Sequence, residues 1–290
     1  MTNRPAMLQL IIGAIIISFS SVWVKISHVL PTVSAFYRVC FGGIFLLIVC
    51  LVRREVKWWG YKNAILLSVC GFFFSLDLIF YHYSIHWVGP GLGTILPNFQ
   101  VVILAAVGVV VFKERPRPAF VLSIPLAFLG IFLIVGLQWQ YLDSTYQFGI
   151  ALGLAAALCY AAFLLSLRKL QVELNKESRF YVLMMVSLIS TLFLAVELVR
   201  TGEGFRIPNL HSFWALLALG LGSQVIGWLL ITNALPNVRT SLSGLVLLLQ
   251  PAGAFVWDVI LFQRPTSMVN WLGVLLALAA IYLGAVHSER

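Results

Sequence analysis

The chain has 290 residues, 61% hydrophobic and 10% charged, with 19 Lys+Arg against 10 Asp+Glu and a formal net charge of +9. A soluble domain carries about 25% charged residues to cover its surface, so this composition excludes a water-soluble globule and requires lipid around most of the outside. The basic residues lie in short clusters between apolar runs, which is the pattern of loops at one membrane face and not of a nucleic-acid-binding surface.

A membrane-spanning helix needs about 20 apolar residues. Stretches of this kind occur at 7–27, 32–52, 61–84, 91–112, 118–137, 147–168, 179–199, 211–232, 241–262 and 267–287, which predicts ten spans. The first has the look of a signal peptide, with Arg4 before an apolar run from Leu8, but no A-x-A site follows Val24. It reads as a retained first span. The loops are too short to hold a soluble domain, so any chemistry takes place in or beside the bilayer. The four cysteines, Cys40, Cys50, Cys70 and Cys159, sit inside apolar runs without a CxxC or metal spacing. They read as small apolar residues, and neither a metal nor a cofactor is expected.

With the N-terminus cytoplasmic, fourteen basic residues fall on the cytoplasmic side: Arg4, clusters at 53–62, 113–117 and 168–179, Arg239 and Arg290. Four fall on the other side (Lys25, Arg200, Arg206 and Arg264), and Arg38 lies within span 2. That bias predicts both termini inside, in the bacterial inner membrane.

Two short sequences recur. Ser34-Ala-Phe-Tyr37 returns as Ser178-Arg-Phe-Tyr181, each opening a span, and the run Val109–Pro116, ending Arg-Pro, returns as Asp258–Pro265. The offsets are 144 and 149 residues, so one half holds five spans. An odd number of spans per half sets the halves in opposite senses, the inverted repeat of secondary transporters. The expected fold is therefore an all-α membrane protein of ten transmembrane helices in two inverted five-helix repeats, residues 1–142 and 143–290.

In these features the chain resembles the ten-helix drug/metabolite transporter superfamily, EamA branch. Lys113-Glu114-Arg115-Pro116 at the end of span 4 is the most specific match, and Arg38 early in span 2 also fits. The second half departs from the pattern, with Gln263 in place of the usual glutamate. Pro251 fits the family's span-9 proline, whereas its repeat equivalent in span 4 is Val102 and Pro97 lies upstream. The resemblance implies a carrier of small metabolites such as amino acids, expected to export them, with a vitamin or a metal-chelating metabolite as the alternative cargo.

Polar side chains within spans are costly and point to function. Asp77 in span 3, with Tyr81 and Ser84 on the same face, is a proton site, a partner for a substrate ammonium, one half of an internal salt bridge, or a neutral, protonated acid held by hydrogen bonds. His82 and His86 share a helix face; substrate contact or a solvated helix end fits them better than a metal, which lacks a nearby third ligand. Asn98 and Gln100 flank Pro97, and Gln250 precedes Pro251; prolines in corresponding spans point to a midplane site. Gln224 with Trp228 in span 8 and Gln250 with Trp257 in span 9 share helix faces and suit a zwitterion with an apolar side chain. Tyr160 and Trp23 are further lining candidates. Arg38 either clamps a carboxylate or snorkels to the interface, and Asp258 near the same surface is its candidate partner.

Gly149 and Gly153 form a small-xxx-small pair, and Gly220, Gly222 and Gly227 thin span 8, so helices can approach closely there. Only three aspartates exist, Asp77, Asp143 and Asp258, and there is no HExxH or GxSxG, so an integral-membrane enzyme is not expected. Without a Walker motif, energy has to come from a proton or solute gradient, or transport is facilitated. The expected partners are a small-molecule substrate and the lipid bilayer, with proton coupling; the oligomeric state is left open.

Overall fold

The computed structural model describes residues 4–55, 60–111, 118–135, 143–174, 179–234, 238, 246–247 and 249–286. The Lys113–Pro116 motif and the early part of the expected ninth span lie outside them. Among the described residues the chain is helical throughout, with no strand. Six helices are long and apolar enough to cross a membrane: Arg4–Ile26, Pro31–Val52, Gly60–Val88, Ser144–Leu167, Phe180–Thr201 and Leu210–Ile231. Four shorter apolar helices, Pro90–Leu104, Val121–Ile134, Leu249–Phe262 and Met268–Ala280, complete the set of ten. In lipid every backbone polar group has to be satisfied within its own helix, which is why sequence runs of this length become helices.

The helix boundaries follow local chemistry. Pro31 stands at the first turn of span 2, where its missing N–H costs nothing, and Leu30 before it is extended. Span 2 ends on Arg54 at φ 54°, and the Glu55 N–H reaches back to the Cys50 carbonyl at 2.9 Å, a Schellman closure made without glycine. Asn209 caps span 8 by accepting from the Ser212 N–H at 2.8 Å. Ser267 and Asn270 cap span 10 reciprocally, and the Asn270 amide also donates to the Ile134 carbonyl at the end of span 5, at 3.0 Å.

The packing carries the signature of the inverted repeat. Span 1 packs on spans 8 and 9, and span 6 packs on spans 3 and 4. Span 2 meets span 8, as span 7 meets span 3, and the pairs 2–7, 4–9 and 5–10 map onto themselves when span n is exchanged with span n+5. The principal interfaces are thus between halves, and neither half could bury its inner faces alone. Small residues set the closest crossings. A Cβ on Gly130 would lie 2.6 Å from the Ala277 backbone, and one on Gly153 would lie 2.5 Å from Leu96. With no hydrophobic drive between helices in lipid, such close van der Waals contact is what holds them together. Large apolar side chains such as Leu8, Ile48, Phe128 and Leu192 face outward, as a lipid-solvated surface requires.

Candidate functional site

Among the described residues, three spans interrupt their regular helix beside buried polar side chains. Span 1 breaks at Phe19, between Arg4–Ser18 and Ser20–Ile26. Span 4 passes through a 3-10 turn, Leu96–Phe99, that contains Pro97. Span 8 widens into a π-helix over Leu219–Gly227, between Leu210–Ala218 and Trp228–Ala234. Such π segments recur at functional sites because they re-aim side chains. This one delivers Gln224 to span 2. Gly42 opposite it makes room, since a Cβ there would lie 2.7 Å from Gln224 Cγ.

Arg38 is the centre of the site. It is only 6% exposed, so it does not snorkel. Its Nε donates to Gln224 Oε1 at 3.2 Å and its Nη1 to Ser20 Oγ at 3.2 Å. Gln224 in turn donates from Nε2 to Ser187 Oγ at 3.3 Å. The guanidinium lies 6.0 Å from the Tyr81 ring centroid, a weak cation–π contact. The Tyr81 hydroxyl meets Thr94 Oγ1 at 3.3 Å, and Asn98 Nδ2 donates to the Thr94 carbonyl at 2.7 Å. A guanidinium has five N–H donors, and two are engaged; the rest make no hydrogen bond among the described residues. This polar chain draws on spans 1, 2, 3, 4, 7 and 8, so it joins the two halves.

Asp77, also 6% exposed, lies one turn along span 3 from Tyr81 and within electrostatic reach of Arg38, without an ion pair between them. Tyr160 of span 6 lies within electrostatic reach of both side chains, and its hydroxyl faces the Gln100 side chain. Gln100 Oε1 is buried without a hydrogen-bond partner. Aligning Ser34 with Ser178 puts Val182 at the repeat position of Arg38. The charge is therefore confined to the first half, while the second half supplies Gln224, Ser187 and Tyr160.

Of the residues singled out in the sequence, Arg38, Asp77, Gln100, Tyr160, Gln224 and Asn98 come together here. Trp23 packs beside Tyr81 against Val24, Ile85 and Leu219. Trp257 stacks on Phe19 with centroids 4.4 Å apart, and its indole donates to Ser18 Oγ at 2.9 Å. Both indoles flank the break in span 1. Trp228 packs with Leu10, Ile17 and Ile231, and Gln250 is half-buried early in Leu249–Phe262. His82 is fully buried, with Nδ1 2.7 Å from Ser34 Oγ, one turn from Arg38 along span 2. Ser20, Ser187 and Thr94 are additions. Small hydroxyl residues are common in apolar helices, and nothing in their spacing marks them out.

Asp258 does not partner Arg38. Its Oδ2 instead receives Arg264 Nη1 at 3.0 Å and the Gly91 N–H at 3.0 Å. Arg264 further donates to the Val88 carbonyl at 2.7 Å and to the Tyr146 hydroxyl at 2.9 Å. Arg264 can fold back because Gln263 takes a left-handed φ of 51° after the end of span 9. Gly89, at φ 89° and ψ 163°, occupies a region open essentially to glycine alone, and a Cβ there would sit 2.8 Å from Asp258 Oδ2. This latch ties the 3–4 turn of the first half to spans 6 and 9 of the second. Its sequence separation, from residue 91 to 258, hid it from any local pattern.

Interlocked inverted halves that meet on a buried polar chain are the build of a membrane transporter. The chain matches the EamA-like transporter family over residues 4–136 and 147–285, and it belongs to that family. It is 23% identical over 305 residues to the "Uncharacterized transporter YxxF" of Bacillus subtilis (strain 168), a match covering 99% of this chain and 91% of that one. A solved crystal structure superposes on it with a TM-score of 0.66 at 16% identity, covering 100% of both chains, which shows the shared fold.

Proposed function

We propose that this chain is an alternating-access carrier that moves a small zwitterionic metabolite of the amino-acid class out of the cell. In this reading the protein sits in the bacterial inner membrane with both termini cytoplasmic, and residues 1–142 and 143–290 are the two moving halves. The observation that carries the proposal is that Arg38 and Asp77, a buried guanidinium and a buried carboxyl, lie within electrostatic reach of each other without a direct ion pair. Arg38 offers unused guanidinium donors to a carboxylate, a geometry suited to bidentate binding. Asp77 offers a counter-charge to an ammonium. Tyr81, Tyr160, Gln100 and Gln224 complete the polar lining, and Trp23 and Trp257 supply apolar surface beside it.

The same charges support the energetics. A lone charge within a span is expensive, and a substrate carrying both signs neutralises the pair on binding. Asp77 takes the coupling role, accepting a proton when the substrate ammonium is absent. His82, held by Ser34 one turn from Arg38, is the alternative group for tuning charge recognition. The Asp258–Arg264 latch holds one end shut while the other end exchanges substrate, and its opening is the alternate state.

Transport by the purified chain in liposomes, over a panel of amino acids and their decarboxylated and amidated analogues, with and without a pH gradient, tests the reading. Zwitterions should be exchanged in preference to either singly charged analogue. If no solute crosses while a known carrier works in parallel liposomes, the proposal fails.

A further inference from the structure

We propose that a groove between spans 3 and 6, at the membrane face where the basic residues gather, is a binding site for one anionic phospholipid. The groove has a volume of about 530 Å³ and is bounded by Lys62 and Lys169 at its lip and by Ile65, Leu66, Val69 and Leu165 below. Both lysines are exposed. Lys62 stands in the first turn of span 3, and Lys169 lies two residues beyond the apolar window of span 6, which ends at Leu167.

Depth decides what fits. At about 1.5 Å of rise per residue, Ile65 and Val69 lie roughly 5 and 10 Å deeper than Lys62, and Leu165 about 6 Å deeper than Lys169. The two ammonium groups are therefore at headgroup level and the apolar wall at the level of the glycerol backbone and first acyl methylenes. Ile65 is 67% and Val69 37% exposed, so the wall faces the membrane and not the protein interior. The only other polar lining group, Ser166, donates its hydroxyl to the Ala162 carbonyl at 2.8 Å.

Charge selects among lipids. Two lysines on facing helices at one lip complement a net negative headgroup, as basic pockets between spans do. A zwitterionic headgroup brings its own ammonium against them. The groove is also separate from the Arg38–Asp77 centre: Asp77 lies eight residues, about 12 Å, beyond Val69 along span 3. A transported solute is therefore not its occupant, and the site stands whether or not the proposed cargo is right.

The test is native mass spectrometry of the full, delipidated chain titrated with equimolar phosphatidylglycerol and phosphatidylcholine. One phosphatidylglycerol should be retained in preference. Lys62→Gln with Lys169→Gln should lower its affinity about fivefold for each lysine and roughly thirtyfold together, with phosphatidylcholine binding unchanged. Arg4→Gln with Arg54→Gln, the same change of charge on exposed residues of the same face, should leave phosphatidylglycerol affinity unaltered. Val69→Trp, which fills the apolar wall, should weaken binding of the lipid with both lysines intact. Equal retention of the two lipids, full affinity in the double lysine variant, displacement by glycerol phosphate alone, or a second copy of the chain covering the groove would each overturn the proposal.

Discussion

Replacing Asp258 by asparagine tests the latch most directly. The substitution keeps the shape and one acceptor oxygen but removes the charge, while two donors, Arg264 Nη1 and the Gly91 N–H, converge on Oδ2 at 3.0 Å each. The carboxylate is 4% and the Arg264 side chain 16% exposed, so water replaces little of what is lost. A hydrogen bond to a charged group contributes roughly 1.5–3 kcal/mol. Taking about 2 kcal/mol, the balance between closed and open forms of this end shifts about 30-fold. Hydrogen exchange reads that shift without a label. Amide protection across residues 89–96, the turn and first helix of span 4, should fall about 30-fold in Asp258→Asn and remain unchanged in Asp143→Asn, an exposed carboxylate elsewhere in the chain. Protection that stays at the parent level in Asp258→Asn would refute the idea that this pair ties the end shut.

Three further outcomes follow from the site. Arg38→Lys keeps the charge but not the planar fork, so exchange of carboxylate substrates should weaken 10- to 100-fold, roughly the 1.5–3 kcal/mol of one charged hydrogen bond, in a fully folded protein; unchanged affinity would release Arg38 from substrate contact. Asp77→Asn should leave a carrier that still exchanges substrate but no longer responds to a pH gradient, and a transport profile indistinguishable from the parent's across pH 5–8 would remove the coupling role. Gly42→Leu forces a side chain against Gln224 at the tightest point between spans 2 and 8; overpacking of this kind costs about 1–3 kcal/mol, so thermal stability in detergent should drop and transport with it, whereas Gly42→Ala should be milder on both counts.

The ten spans were legible in the sequence because a membrane leaves a one-dimensional record. Each crossing demands its own run of apolar residues, and each run must satisfy its backbone within a single helix. The inverted repeat showed through the recurrence of Ser34–Tyr37 and of the Arg-Pro at 264–265, and the exchange symmetry of the packing has the same origin. Arg38, Asp77, Gln224 and Tyr160 were visible for a related reason: polar groups within apolar runs are too costly to be incidental. Their assembly was not. Gln224 reaches Arg38 across 186 residues of sequence because a π-helix re-aims it and Gly42 yields space, and neither feature has a local period. Pro97 lies in the 3-10 turn of span 4, and among the described residues of the second half the irregularity lies in the glycine-thinned span 8. Asp258, read as a partner for Arg38, found Arg264 only six residues away because Gln263 reverses the chain there. Composition and periodicity thus determined which segments cross the bilayer and which residues are costly to place in it. Which of those residues face one another was decided only by the packing of the two halves, because helix rotation and close approach depend on contacts between segments far apart in the chain.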